Sequence, residues 1–161
     1  MKNLIECDVC ASKQDLLRLP TLANSDAFTD RMIAAKYTKN NDILTMLSYD
    51  FNATVRLIVA QRANEETLFE MVNDECSKVR AQVALRIDER QLHLLVDDKD
   101  VLVRCIVAQR ADQELLLYML DDTSKGVRGE AAKRINSMHL LRCLHDKDEY
   151  VRNVAKNRLK K

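Results

Sequence analysis

Glycine and proline are almost missing from this chain, with two glycines and one proline among 161 residues. An all-β fold consumes turn residues at every hairpin, so their scarcity argues against sheet and leaves helix as the natural reading. Aromatic residues are also few, at 4%. A groove for single-stranded nucleic acid stacks bases on aromatic rings, and this chain has little to offer one. No window approaches the ~18–20 apolar residues of a membrane span. The first residues, Met-Lys-Asn-Leu-Ile-Glu-Cys-Asp, place acids where a signal peptide needs an apolar core. A cytoplasmic protein with no membrane partner is therefore expected. The five cysteines are odd in number and irregularly spaced, which fits reduced thiols better than a disulfide framework. No nucleophile–base pair, Gly-rich phosphate loop or paired acidic motif is present, so no enzymatic activity is expected.

What the chain does have is a period of 24 residues. An Asp recurs at Asp50, Asp74, Asp98, Asp122 and Asp146. A Val-Arg pair follows at Val55-Arg56, Val79-Arg80, Val103-Arg104, Val127-Arg128 and Val151-Arg152. A second Arg completes the unit at Arg62, Arg86, Arg110, Arg134 and Arg158. A fixed period of this size marks stacked units, each too small to bury its own apolar face. With 47% hydrophobic and 32% charged residues, the chain has an ordinary soluble balance and enough length for one sizeable core.

Domain organisation follows from the register. Residues 1–25, with Pro20, read as an amino-terminal cap, and 26–161 as the helical repeat domain. Within it, 26–49 is a degenerate unit that keeps Arg31, Ala34, Ala35 and Leu44, with one extra residue between Tyr37 and Asn40. Full repeats cover 50–73, 74–97, 98–121 and 122–145, and 146–161 is an incomplete terminal repeat.

In the unit from Asp50 to Asn73, Val55, Ile58 and Val59 recur at helical spacing and mark a first helix. Arg62 lies at its end, where a cation can satisfy the last free carbonyls. Asn64, Glu65 and Glu66 break the pattern, and Leu68, Met71 and Val72 form the inward stripe of a second helix. Two helices and two turns must share 24 residues, so neither helix much exceeds about ten and stacking must hold them. One of the two can tighten toward 3₁₀ geometry, which suits short pieces. Ala60, Ala84, Ala108 and Ala132 keep one slot small for close packing, and Lys156 replaces it in the last unit. The units also alternate. The first and third read Val-Arg-X-Ile-Val-Ala-Gln-Arg-Ala, whereas the second and fourth end their first helix in Arg-Ile. This alternation points either to a duplicated two-repeat block or to neighbours that pack with alternating volumes.

The run of Asp, Val-Arg, Ala and Arg, then a Leu-rich half closing on the next Asp, resembles the leucine-rich repeat variant family and, more distantly, HEAT-like helical repeats. The resemblance covers roughly Asp50 to Arg158. It implies an all-α fold, a right-handed α-solenoid (superhelix) of two-helix repeats with alternating α and 3₁₀ helices. That family often carries proline in the turn after the second Arg, where this chain has Asn64, Asp88, Asp112 and Asn136. Some members hold an iron–sulfur cluster on amino-terminal cysteines. This chain offers only Cys7 and Cys10 there, half of a four-cysteine set, so no cofactor is expected. His93, His139 and His145 share no repeat position or ligand spacing, and no metal site is expected.

Asp50 and Arg56 are six residues apart and so not on one face of a single helix. A turn Asp that bonds an Arg of its own or an adjacent unit would build a structural ladder from Asp50, Arg56, Asp74, Arg80, Asp98, Arg104, Asp122, Arg128, Asp146 and Arg152. Recognition is then sought where the units differ. Leu57 and Gln61, Ala81 and Leu85, Cys105 and Gln109, and Gly129 and Lys133 form such a row, mostly small, apolar or amide. This row is either a protein-binding face or packing between layers. The expected role is a non-catalytic scaffold that binds a protein or peptide through an extended helical face. The alternative is nucleic-acid binding through the Arg rows and the basic carboxyl-terminal repeats. The stretch from Asp122 to Lys161 carries 11 basic against 5 acidic residues, a balance that steers an acidic partner.

Overall fold

A computed structural model of the chain describes residues 13–160. Every regular element among the described residues is a helix, which makes the fold all-α. The chain divides into two compact units, one up to Met71 and one from Val72. The first holds α1 (Lys13–Leu17), α2 (Leu19–Ala23), α3 (Phe28–Tyr37), α4 (Asn41–Leu47), α5 (Ala53–Arg62) and α6 (Glu65–Glu70). The second holds α7 (Ser77–Ala84), the 3₁₀ helix η1 (Glu89–Leu95), α8 (Val101–Arg110), α9 (Gln113–Met119), α10 (Lys125–Arg134), α11 (Ser137–Leu140), the 3₁₀ helix η2 (Leu141–His145) and α12 (Glu149–Leu159).

Each repeat thus has a first helix after its Asp and a second after its polar break. Side chains set both starts. Asn52, Asp100, Ser124 and Asp148 cap their helices by accepting from a backbone N–H two residues on. Such caps satisfy donors that the first turn leaves orphaned. Cys76 holds the same slot at α7 and makes no side-chain cap. At the second helices, Asn64, Asp88, Asp112 and Asn136 do the capping. The turn slots that depart from the proline of the resembled family are therefore filled by residues that start the next helix.

Packing follows the inward stripes. In the second unit α7 packs on α8, α8 on α10, and α10 on α12; in the first, α2 packs on α3 and α3 on α5. Val79, Val83, Val103, Val107 and Val127 are fully buried, as are Val55 and Val59 in the first unit. Each such valine contributes roughly 1.5–3 kcal/mol by leaving water. The small slot is fully buried at Ala60, Ala84, Ala108 and Ala132, whereas Lys156 in the same slot is exposed.

The alternation of the sequence reappears in the helices. The second helix is α-helical in the repeats at 50–73 and 98–121, as α6 and α9. It is 3₁₀ in 74–97 and turns to 3₁₀ after one α turn in 122–145. The two α-type repeats combine a buried Ala63 or Ala111 with a buried Met71 or Met119. The two 3₁₀-type repeats combine a buried Ile87 or Ile135 with the smaller Leu95 or Cys143. Volume is moved between slots so that each core fills, as close packing requires. The 3₁₀ geometry implied by the resemblance thus belongs to alternate repeats.

Candidate functional site: an arginine ladder and the variable face beside it

The Asp of each repeat sits in the turn just before the first helix, and the Val-Arg arginine lies one turn inside that helix. In the second unit each such arginine except Arg152 of the terminal repeat reaches forward to the Asp of the following repeat. Arg80 pairs with Asp98, Arg104 with Asp122 and Arg128 with Asp146, at Nε–Oδ2 distances of 2.6, 2.7 and 2.8 Å. Nη2 donates to the other carboxylate oxygen at 2.8, 3.1 and 2.9 Å, so every rung is bidentate. Nη1 turns back and donates to the carbonyl of its own repeat's Asp, as in Arg104 to Asp98 at 2.7 Å. Arg152 does the same to Asp146, and Arg56 to Asp50 in the first unit. Each Asp in turn accepts the backbone N–H two residues on, at Asp50, Asp74, Asp98, Asp122 and Asp146. One arginine therefore fastens two turns and the start of a helix. In the first unit Arg31 makes an equivalent rung with Asp50.

Electrostatics agree with the geometry. Hydrogen bonds donated to the rung carboxylates raise the Arg80, Arg104 and Arg128 guanidiniums above their ordinary range. Burial pushes Asp98 and Asp122 upward, but the bonds from Arg80 and Arg104 and from backbone N–H groups outweigh it and leave both below the usual carboxylate range. Asp146 is lowered chiefly by Arg128. Arg31, Arg56, Arg80 and Arg128 are all buried, so these guanidiniums are spent inside the fold.

The second arginine has a different task in the repeats of Arg62, Arg110, Arg134 and Arg158. Arg110 donates to the carbonyl of Ala84, Arg134 to those of Ala108 and Ala111, and Arg158 to Ala132 and Ile135. Arg62 does the same to Ala35 and Thr38 in the first unit. The carbonyls satisfied are those at the helix end of the preceding repeat. The arginine thus caps a neighbour's helix, where sequence reasoning placed it at its own.

The variable row divides in two. Ala81 and Gly129 are buried, and Leu57 and Cys105 are half-buried. In the second unit the next first helix covers this slot: a methyl group on Gly129 would clash with the Tyr150 ring, and one on Gly126 would lie 3.6 Å from the Cys105 sulfur. Gln61, Leu85, Gln109 and Lys133, one turn further on, are exposed. Leu85, Gln109 and Lys133 make a solvent-facing row in the second unit, and Gln61 holds the same slot in the first.

A further set of pairs joins the turn after one second helix to the next second helix, and sequence reasoning missed it. Tyr49 donates to Glu70 at 2.8 Å, Tyr118 to Asp97 at 2.9 Å, and Arg142 to Asp121 at 3.1 Å. Each pair is separated by 21 residues. The chemistry differs each time, so only this spacing could have signalled it.

Cys105 and Cys143 have thiols pushed up by burial, as expected of packing residues rather than nucleophiles. Cys7 and Cys10 lie outside the described residues. Among the described residues no group of three or more His, Cys, Asp or Glu side chains is placed to hold a metal ion. No helix among them is long and apolar enough to cross a membrane.

Short paired helices, a repeated buried Arg–Asp rung and a small-residue packing slot define an all-α helical-repeat protein. Among solved structures, a leucine-rich repeat variant, described as having a novel repetitive structural motif, is 33% identical and aligns over 88% of this chain with a TM-score of 0.83. This chain spans 60% of that chain's length. The resemblance to the leucine-rich repeat variants is thereby borne out in sequence and in fold. No family model matches the sequence, and no curated protein does.

Proposed function

We propose that this chain is a non-catalytic repeat scaffold that binds a protein partner through the exposed side of its first helices. The observation that carries this reading is the contrast between two sets of slots in the same helices. The rung residues are constant and turned inward, whereas Gln61, Leu85, Gln109 and Lys133 are exposed and change in chemistry from one repeat to the next, amide, apolar, amide and cationic. A surface read by a partner varies from unit to unit, and a packing device does not. The half-buried slots of Leu57 and Cys105 border this row, and the buried Ala81 and Gly129 support it.

The test is capture of a partner from the native host, with the bound molecules identified. Leu85→Glu and Gln109→Glu should lose that partner and keep the parent's urea midpoint, because a desolvated unpaired carboxylate at an interface is costly. Retention of the partner by both variants would refute the proposal. Ala81→Glu is the control for packing, since that slot is buried. Nucleic acid is the rival class. Its Arg rows are committed to rungs and carbonyls, so it would rest on exposed Lys147, Lys156 and Lys160, and its affinity would fall steeply with salt.

A further inference from the structure

Two of the most exposed aromatic residues flank a ladder Asp. Tyr49 is 70% and Phe51 78% exposed, on either side of Asp50. The fold does not demand rings there, because the corresponding flanks in the second unit are Asp97 and Lys99, Asp121 and Thr123, and His145 and Lys147. Phe51 has one internal duty, since the Arg31 guanidinium stacks 4.2 Å from its ring centre. Its other face remains open to water.

These rings continue onto two neighbouring helices. The Thr45 and Thr67 hydroxyls meet at 2.8 Å, and Tyr49 reaches Glu70 at the same distance, so α4 and α6 lie side by side. Met46 on α4 and Phe69 on α6 are both exposed, as are Asp42, Glu65, Glu66 and Glu70. Five of the chain's seven aromatic residues fall in this first unit. Isolated exposed apolar residues are ordinary, but a cluster rimmed by charge of one sign marks an interaction site. The sign is plain: from Asn40 to Met71 there is no lysine or histidine. The two arginines of that stretch donate to backbone carbonyls, Arg56 to Asp50 and Arg62 to Ala35 and Thr38.

We propose that this face of the first unit docks a basic amphipathic segment of a partner protein, with lysine or arginine alternating with apolar side chains. Its cations meet Asp42, Glu66 and Glu70, and its apolar side chains cover Tyr49, Phe51 and Phe69. Tyrosine is suited to such a centre, because it gives a large contact area and keeps a polar tip. The inference rests on the protein-binding reading and adds a second surface with a stated partner chemistry. A second copy of the chain is the rival occupant, since its stretch from Asp122 to Lys161 is basic.

The chain contains no tryptophan, so a single tryptophan in a synthetic peptide reports binding without background. The probe is an amphipathic leucine–lysine helix, with a leucine–glutamate helix of the same pattern as control. The lysine peptide should bind and the glutamate peptide should not. Tyr49→Ala and Phe69→Ala should each weaken binding about tenfold. Glu70→Lys should weaken it similarly, and as an exposed substitution it keeps the fold. Leu85→Glu should leave peptide affinity unchanged. Equal binding of the two peptides, or parent-like binding by the Tyr49, Phe69 and Glu70 variants, would overturn the proposal. So would sedimentation showing a self-associated parent that Tyr49→Ala returns to monomer, which would assign the face to a second copy. If the peptide fails to bind while Leu85→Glu still loses its captured partner, this inference falls and the scaffold reading stands.

Discussion

The first unit closes its rung from Arg31 to Asp50 over 19 residues, whereas each rung of the second unit closes over 18. Yet the Nε–Oδ2 distance is 2.5 Å in the first and 2.6 to 2.8 Å in the others. The extra residue is taken up in the turn at Thr38 and Lys39, before Asn40 caps α4. Chain length between rungs is therefore adjustable, and rung geometry is not. The units also differ outside the ladder. The first carries exposed rings and acids around Asp50, and the second carries polar residues in the same positions with a larger share of the basic side chains. A common interior thus supports two different surfaces, which is how a repeat scaffold diversifies.

The largest effects should come from breaking the interior. Asp146→Ala leaves the buried Arg128 guanidinium without its carboxylate, at an expected cost of about 3–5 kcal/mol. Urea unfolding measures it, and a cost below about 1 kcal/mol would mean that the rung is exchangeable for water. Acid should attack the same rungs. The Asp98, Asp122 and Asp146 carboxyls are held below their ordinary range, so the folded state binds protons less readily than the unfolded chain. The stability they contribute is complete above about pH 4 and is lost as pH falls through their lowered values. Midpoints at pH 6 and pH 3 check this, and no drop between them would contradict it.

Smaller effects sharpen the contrast between neighbouring slots. A methyl at Gly129 meets the Tyr150 ring, and one at Gly126 finds only ordinary contact. Gly129→Ala should cost about 1–2 kcal/mol by overpacking, and Tyr150→Ala should relieve it. Gly126→Ala should instead stabilise by about 0.5 kcal/mol through helix propensity. Cys76→Asn should add about 1 kcal/mol by giving α7 the cap that its counterparts already have. Thermal unfolding ranks these three, and a destabilised Cys76→Asn would show that the thiol serves a packing role.

The ladder and the 24-residue period were legible because the same residue type recurs at the same slot. Val-Arg and Asp could be aligned by inspection, and the alanine slot announced close packing. Three features were not legible, each for a physical reason. Which second helix is 3₁₀ depends on volume traded between distant slots, such as Ile87 against Leu95. Helical periodicity placed positions 57 and 61 on one face, but whether a face meets water depends on the neighbouring helix, and Tyr150 covers Gly129. The pairs Tyr49–Glu70, Tyr118–Asp97 and Arg142–Asp121 have a common spacing but no common chemistry.

Constant arginines hold the structure, while variable neighbours in the same helices are free to change. Arg104 and Gln109 both lie on α8, five residues apart, the first in a rung and the second exposed. Their alanine variants, unfolded side by side in urea, test this most directly. Arg104→Ala should lose about 3 kcal/mol, and Gln109→Ala should stay within about 0.5 kcal/mol of the parent. Equal midpoints for the two variants would contradict the ladder and, with it, the division of the helix into a structural side and an exposed, variable side.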